Sequence, residues 1–127
     1  MPEETDCTVE RSAKIAALND ALRVNIDCPG TNRIVMTQGV RALIGTELGY
    51  RAFHNQAELL RLVRDFDSFT EANDPYGERD FGRFEFGGTA CYWKIDYYDR
   101  ALKYGSEDPT DPARTCRVLT IMTTDEY

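Results

Sequence analysis

The stretch from Arg83 to Tyr98 constrains the fold more than any other. Arg83-Phe84-Glu85-Phe86 alternates in polarity, breaks at Gly87-Gly88, and resumes alternating over Thr89-Ala90-Cys91-Tyr92-Trp93-Lys94-Ile95-Asp96-Tyr97-Tyr98. Period-two patterning on both sides of a glycine pair predicts an antiparallel hairpin, because glycines accept the positive φ that a tight two-residue turn demands. On the second strand Cys91, Trp93, Ile95 and Tyr97 share one face and Tyr92, Lys94, Asp96 and Tyr98 the other. The first is expected to face the core. The second is itself aromatic-rich, so a helix or a partner is expected to cover it.

Further elements are read from period and punctuation. Val9, Ala13, Ile15, Ala16, Ala17, Leu18, Ala21 and Leu22 recur at helical spacing, which predicts a helix over 9–24 with Arg11, Lys14, Asn19, Asp20 and Arg23 on its polar side. Asn25 to Gly30, with Pro29, ends it. Arg33-Ile34-Val35-Met36-Thr37 is a short β-branched run between glycines and reads as a strand. Gln38 to Ile44 opens a short helical turn that Gly45 stops. Asn55 with Glu58 three residues on resembles a capping box and predicts a second main helix over 55–67, inward along Leu59, Leu62, Val63 and Phe66, with Phe53 stapled onto Leu59. Asn73-Asp74-Pro75-Tyr76-Gly77 is a turn by its chemistry, and Cys116 to Thr123 a last strand. The expected architecture is one α+β domain over 1–127, residues 1–7 disordered, with an antiparallel sheet of three or four strands packed against two main helices.

The 127 residues carry a formal charge of −7, unevenly distributed. Residues 1–64 hold 8 acids and 8 bases, whereas 65–127 hold 14 acids and 7 bases. An acidic half without a basic cluster argues against direct binding to nucleic acid, which rests on neutralising phosphates. It suits a partner protein with a basic surface. No run approaches the length of a membrane span, and the acidic start Met1 to Asp6 is unlike an export signal, so no membrane association and a cytoplasmic location are expected. Cys7, Cys28, Cys91 and Cys116 match no zinc spacing. Three of them read as small buried or half-buried hydrophobes, and Cys7 as the exposed one.

Candidate chemistry is sparse. His54 is the sole histidine, so a Cys–His or Ser–His arrangement would need it, with Cys91 or Cys116 as the thiol. Asp65, Asp67, Glu71, Asp74, Glu78 and Asp80 supply oxygen ligands on paper but lack the ordered spacing of a calcium loop, and no metal or cofactor is expected. Asp96 and Asp99, flanking Tyr97 and Tyr98, are the one pair of carboxylates that could divide acid and base roles, with Tyr98 and His54 in support. The same aromatic and acidic mixture is typical of an interface.

Asn73-Asp74-Pro75-Tyr76-Gly77-Glu78-Arg79-Asp80-Phe81-Gly82, Trp93 to Asp99, Arg117 to Met122 and Arg33 to Thr37 together resemble a family of small uncharacterised bacterial proteins, mainly alphaproteobacterial and associated with plasmids and phages. The resemblance covers most of 13–127 and implies no established reaction. Members often show a histidine near the Asn-Asp-Pro-Tyr-Gly-Glu motif, where this chain has Arg79, which weakens a metal or acid–base reading there. The mobile-element setting implies, by analogy, an inhibitor of restriction or CRISPR machinery. The expected function is therefore an acidic protein-binding module using Asp74, Tyr76, Glu78, Asp80, Tyr92, Asp96, Tyr98, Asp99, Glu107, Asp108 and Asp111. The alternatives are a small hydrolase-like enzyme using Asp96 and Asp99, or a structural subunit of a larger complex.

Overall fold

The computed structural model describes residues 2–45 and 49–127, and of residues 2–7 the backbone alone. The expectations of a disordered 1–7 and an exposed Cys7 lie outside the residues whose side chains are described. In chain order the elements are α1 (Pro2–Val24), β1 (Arg33–Met36), α2 (Gln38–Ile44), α3 (Tyr50–Arg64), β2 (Phe81–Phe86), β3 (Thr89–Tyr98), β4 (Cys116–Thr123) and a closing 3-10 turn, Thr124–Glu126.

The α+β class holds, with a correction to the sheet. Its strand order is β1-β4-β3-β2, and β1 runs parallel to β4. The sheet is mixed, not antiparallel. The cause lies just after β1: Thr37 accepts from the Val40 amide and turns the chain into α2 instead of a hairpin. The chain then stays on the core face through α2 and α3, and β1 finds its partner only in β4, with Ile34 opposite Leu119 and Met36 opposite Ile121. The hairpin is as expected. Gly87 and Gly88 both have positive φ, 58° and 80°, and Gly82 pairs with Trp93 across the β2–β3 ladder.

The three described helices pack on the face that carries Trp93, Ile95, Leu119 and Ile121, meeting it with Leu22, Val40, Ile44, Leu59 and Val63, together with Ile26 from the turn after α1. Among the described residues no α-helix covers the other face. Tyr127 reaches over it, packing edge-on against Phe81 and Tyr92. None of the described helices is long and apolar enough to cross a membrane.

Several local expectations are corrected. Helix α3 starts at Tyr50 after Gly49, not at an Asn55 cap, and ends at Arg64, not at 67. The Asn55 amide instead donates to the Ile44 carbonyl, tying α3 to α2, and Phe53 is exposed instead of stapled. On α1 the inward set is Ile15, Ala16, Asn19, Leu22 and Arg23, so two residues assigned to its polar side are buried. Cys28 is exposed, while Cys91 and Cys116 are buried as expected.

Candidate functional site

Three acidic stretches that are distant in sequence meet at one end of the sheet. They are the turn leading into β2 (74–80), the end of β3 (96–99) and the loop leading into β4 (107–111). Antiparallel pairing enforces this, because β3 ends where β2 and β4 begin: Phe81 lies opposite Lys94, and Tyr98 opposite Cys116. The Asp80 carbonyl accepts from the Ile95 amide, and the Ser106 amide donates to the Tyr97 carbonyl.

One buried network fastens these stretches to α1. The Asn19 amide group donates to the Glu78 carbonyl and to the Tyr97 hydroxyl, both at 2.9 Å. The Tyr97 hydroxyl donates to Glu78 Oε1 at 2.8 Å. Arg117 Nε donates to Asn19 Oδ1 at 2.8 Å, Nη2 to the Pro109 carbonyl, and the guanidinium lies 5.1 Å from the Tyr97 ring centroid. Asn19 and Arg117 are buried at 0 % and 2 % exposure, where an unpaired polar group would be costly. Burial, more than any other cause, pushes the Tyr97 phenol far above its ordinary range and draws the Arg117 guanidinium down. Tyr97 therefore stays a neutral donor and bridge.

The carboxylates around this network serve distinct local ends. Asp74 accepts from the amides of Glu78 and Arg79, and so holds Arg79 at a φ of 56° that few non-glycine residues adopt. Asp99 accepts from the Lys103 amide, Asp111 from that of Ala113, and Asp108 from the Thr110 amide and hydroxyl. Asp96 pairs with Lys94 at 2.9 Å, Glu107 with Arg114 at 3.0 Å and Asp108 with Arg11 at 3.5 Å. The hydrogen bonds of Thr110 hold the Asp108 carboxyl below its ordinary range. Asp80 is different. Burial, then the charges of Glu78, Asp74 and Asp96, push its carboxyl up.

Of the eleven candidate partner-binding residues, ten gather at this end. Tyr76 is there, 78 % exposed. Tyr92 is the outlier: it lies six residues from Tyr98 along β3, roughly 20 Å at about 3.3 Å per residue, and its ring lies tilted against Phe81 with 5.0 Å between ring centroids. The hydrolase-like set is not brought together. Asp96 and Tyr98 lie on the open face of the sheet, whereas His54 sits on α3 across the sheet, beside the ring of Tyr50 at 6.2 Å. Cys91 and Cys116 are buried in the sheet, the Cys91 thiol is pushed up by burial, and Cys116 Sγ points at the Thr31 carbonyl. Among the described residues no group of three or more His, Cys, Asp or Glu is arranged to hold a metal ion.

Sequence reading missed Asn19, Arg79 and Arg117 as the parts that assemble this end. A signal existed for Asn19, which stands four residues after Ile15 and three before Leu22, within the inward stripe.

Fold and site thus define a small α+β domain, a mixed four-stranded sheet with helices on one face and a carboxylate-rich end buttressed by α1. The chain belongs to the family described as "Protein of unknown function (DUF3768)", which matches residues 36–126 and so takes in most of the sheet, α2, α3 and the acidic stretches. No curated protein and no solved structure matches the chain.

Proposed function

We propose that the protein is a non-catalytic binding module whose carboxylate-rich end engages a basic surface on a partner protein, and that it acts by occluding that surface. The observation that carries this reading is the convergence of 74–80, 96–99 and 107–111 on one end of the sheet. Several of these carboxylates are held by their own loops through backbone amides, so they are presented with little conformational freedom left to lose on binding. The carboxylates in excess of the Lys94, Arg114 and Arg11 pairs give this end the negative charge that steers association and fixes orientation. A surface that normally holds nucleic acid is the natural target, since it already offers Lys and Arg in a phosphate-like spacing. In the mobile-element setting proposed for the family, the partner is a restriction or CRISPR component in the cytoplasm, bound without direct contact to DNA or RNA.

The test is affinity capture from a bacterial host lysate at low and high salt, comparing wild type with the variant Asp96→Asn, Asp99→Asn, Glu107→Gln, Asp111→Asn. These changes remove charge but keep hydrogen-bond acceptors, so the loops retain their caps. A partner held by wild type at low salt, and lost both in the variant and at high salt, is expected. Partners retained equally under all three conditions overturn the reading and favour a structural subunit held through the open aromatic face of the sheet.

A further inference from the structure

Beside the carboxylate-rich end a groove of ≈ 550 Å³ runs between α1 and the turn over 71–77. Val9 and Ala13, one helical turn apart, form one wall, and Pro75 and Tyr76 the other. Val9 is 62 % and Tyr76 78 % exposed, so the groove presents apolar side chains to solvent. Glu71 and Asp74 stand along it.

Both walls are braced. Asp74 caps the turn from inside, the Asn73 amide group donates to the Ser68 carbonyl, and the Thr70 amide donates back to Asn73. Asn19 binds the Glu78 carbonyl, and Arg79 pairs with Asp20 at 3.0 Å, so α1 and the turn are tied directly to one another. Arg11 lies 3.5 Å from Asp108 in an exposed ion pair, a weak added tie between the same part of α1 and the loop before β4. A groove between two braced walls keeps its shape when empty. That is the condition under which burying a ligand side chain yields net affinity.

We propose that this groove seats one aliphatic or aromatic side chain of the partner, carried on a segment with Lys or Arg on either side. The proposal rests on the functional reading above and specifies its recognition element. Apolar walls select the anchor, and the exposed Glu71 carboxylate meets a basic neighbour, while both oxygens of Asp74 stay on the amides of Glu78 and Arg79. Charge alone would make the acidic end indiscriminate. A hydrophobic seat next to it gives a reason to prefer one basic segment over another.

The experiment is an NMR titration of the ¹⁵N-labelled full chain with two peptides of equal charge, Lys-Lys-Leu-Lys-Lys and Lys-Lys-Ser-Lys-Lys. The leucine peptide is expected to bind about tenfold more tightly, the gain from burying one such side chain, with shifts centred on Val9, Ala13 and Tyr76. In Val9→Ser with Tyr76→Ala, both exposed positions, the preference should vanish while weak salt-sensitive binding of both peptides persists. Equal affinity for the two peptides in wild type overturns the groove proposal and leaves the charge-based reading standing. A leucine preference that survives the double variant also overturns it. Absence of salt-sensitive binding by either peptide overturns both.

Discussion

Asn19 shows how much a single polar residue can be asked to hold. It lies on the inward stripe of α1, and its side chain reaches the Glu78 carbonyl, the Tyr97 hydroxyl and Arg117 Nε at once. Removing it takes the Nε partner from a buried guanidinium and the donor from the Glu78 carbonyl, so Asn19→Ala is expected to lower the urea midpoint by the equivalent of about 3 kcal/mol. Two carboxylates should respond to acid in opposite senses. Glu126 accepts from the Thr37 hydroxyl and from the amides of Thr123 and Gly39, and these bonds hold its carboxyl down to about 2. Its folded value is depressed, so its contribution is complete above the ordinary glutamate range and is lost as pH falls from there toward about 2. Glu126→Gln should flatten that acid limb in thermal melts. Asp80 is raised instead, by burial and by Glu78, so it costs stability once pH exceeds its folded value, and acidification relieves that cost. Asp80→Asn should therefore raise Tm at neutral pH, with the gain shrinking in acid. A carboxylate kept at a stability cost is the kind that function retains.

At the scale of elements the β2–β3 hairpin carries the tightest packing constraint. A Cβ on Gly82 would come within 2.3 Å of Trp93 Nε1 and 2.8 Å of Phe66 Cζ. Gly82→Ala should cost about 2–3 kcal/mol by overpacking, visible as a lowered denaturation midpoint with an unchanged m-value. The hairpin and β4 were legible in the sequence because a period of two, bounded by glycine or proline, has few other readings. The start of α3 was not: Asn55 with Glu58 satisfies the pattern of a cap, yet the Asn55 amide goes to the Ile44 carbonyl, a partner that only the tertiary fold supplies. Polarity alone places Asn19 and Arg23 on the solvent side of α1. Both are buried because the fold brings carbonyls to them, those of Val63 and Phe66 in the case of Arg23. The parallel β1–β4 pair was equally hidden, since nothing local to Ile34 or Val35 says which of the distant strands will lie beside it.

For the whole molecule, the excess of acids in the second half acquires meaning only from topology. A strand order of β1-β4-β3-β2, with β3 antiparallel to both its neighbours, places the beginnings of β2 and β4 beside the end of β3. Segments that are dispersed along the chain thereby share one pole. The wide separation of Cys28, Cys91 and Cys116 is equally intelligible: two of them fill the sheet as small apolar side chains, and the third lies in the turn after α1. The candidate groove is completed by α1, which lies outside the matched region 36–126. The family-matched sheet thus supplies the acidic pole, and the α1 wall is where partner preference is expected to be set.

The position of β4 has a consequence for how the chain comes into being. It is made after the other three strands, yet it lies between β1 and β3 and completes the core with Leu119 and Ile121. Until it leaves the ribosome, β1 has no neighbour and the β2–β3 hairpin stands alone, which is marginal in water. The sheet therefore cannot close while residues 116–123 are still in the exit tunnel, and until then the nascent chain carries an unfilled core that invites chaperone shelter.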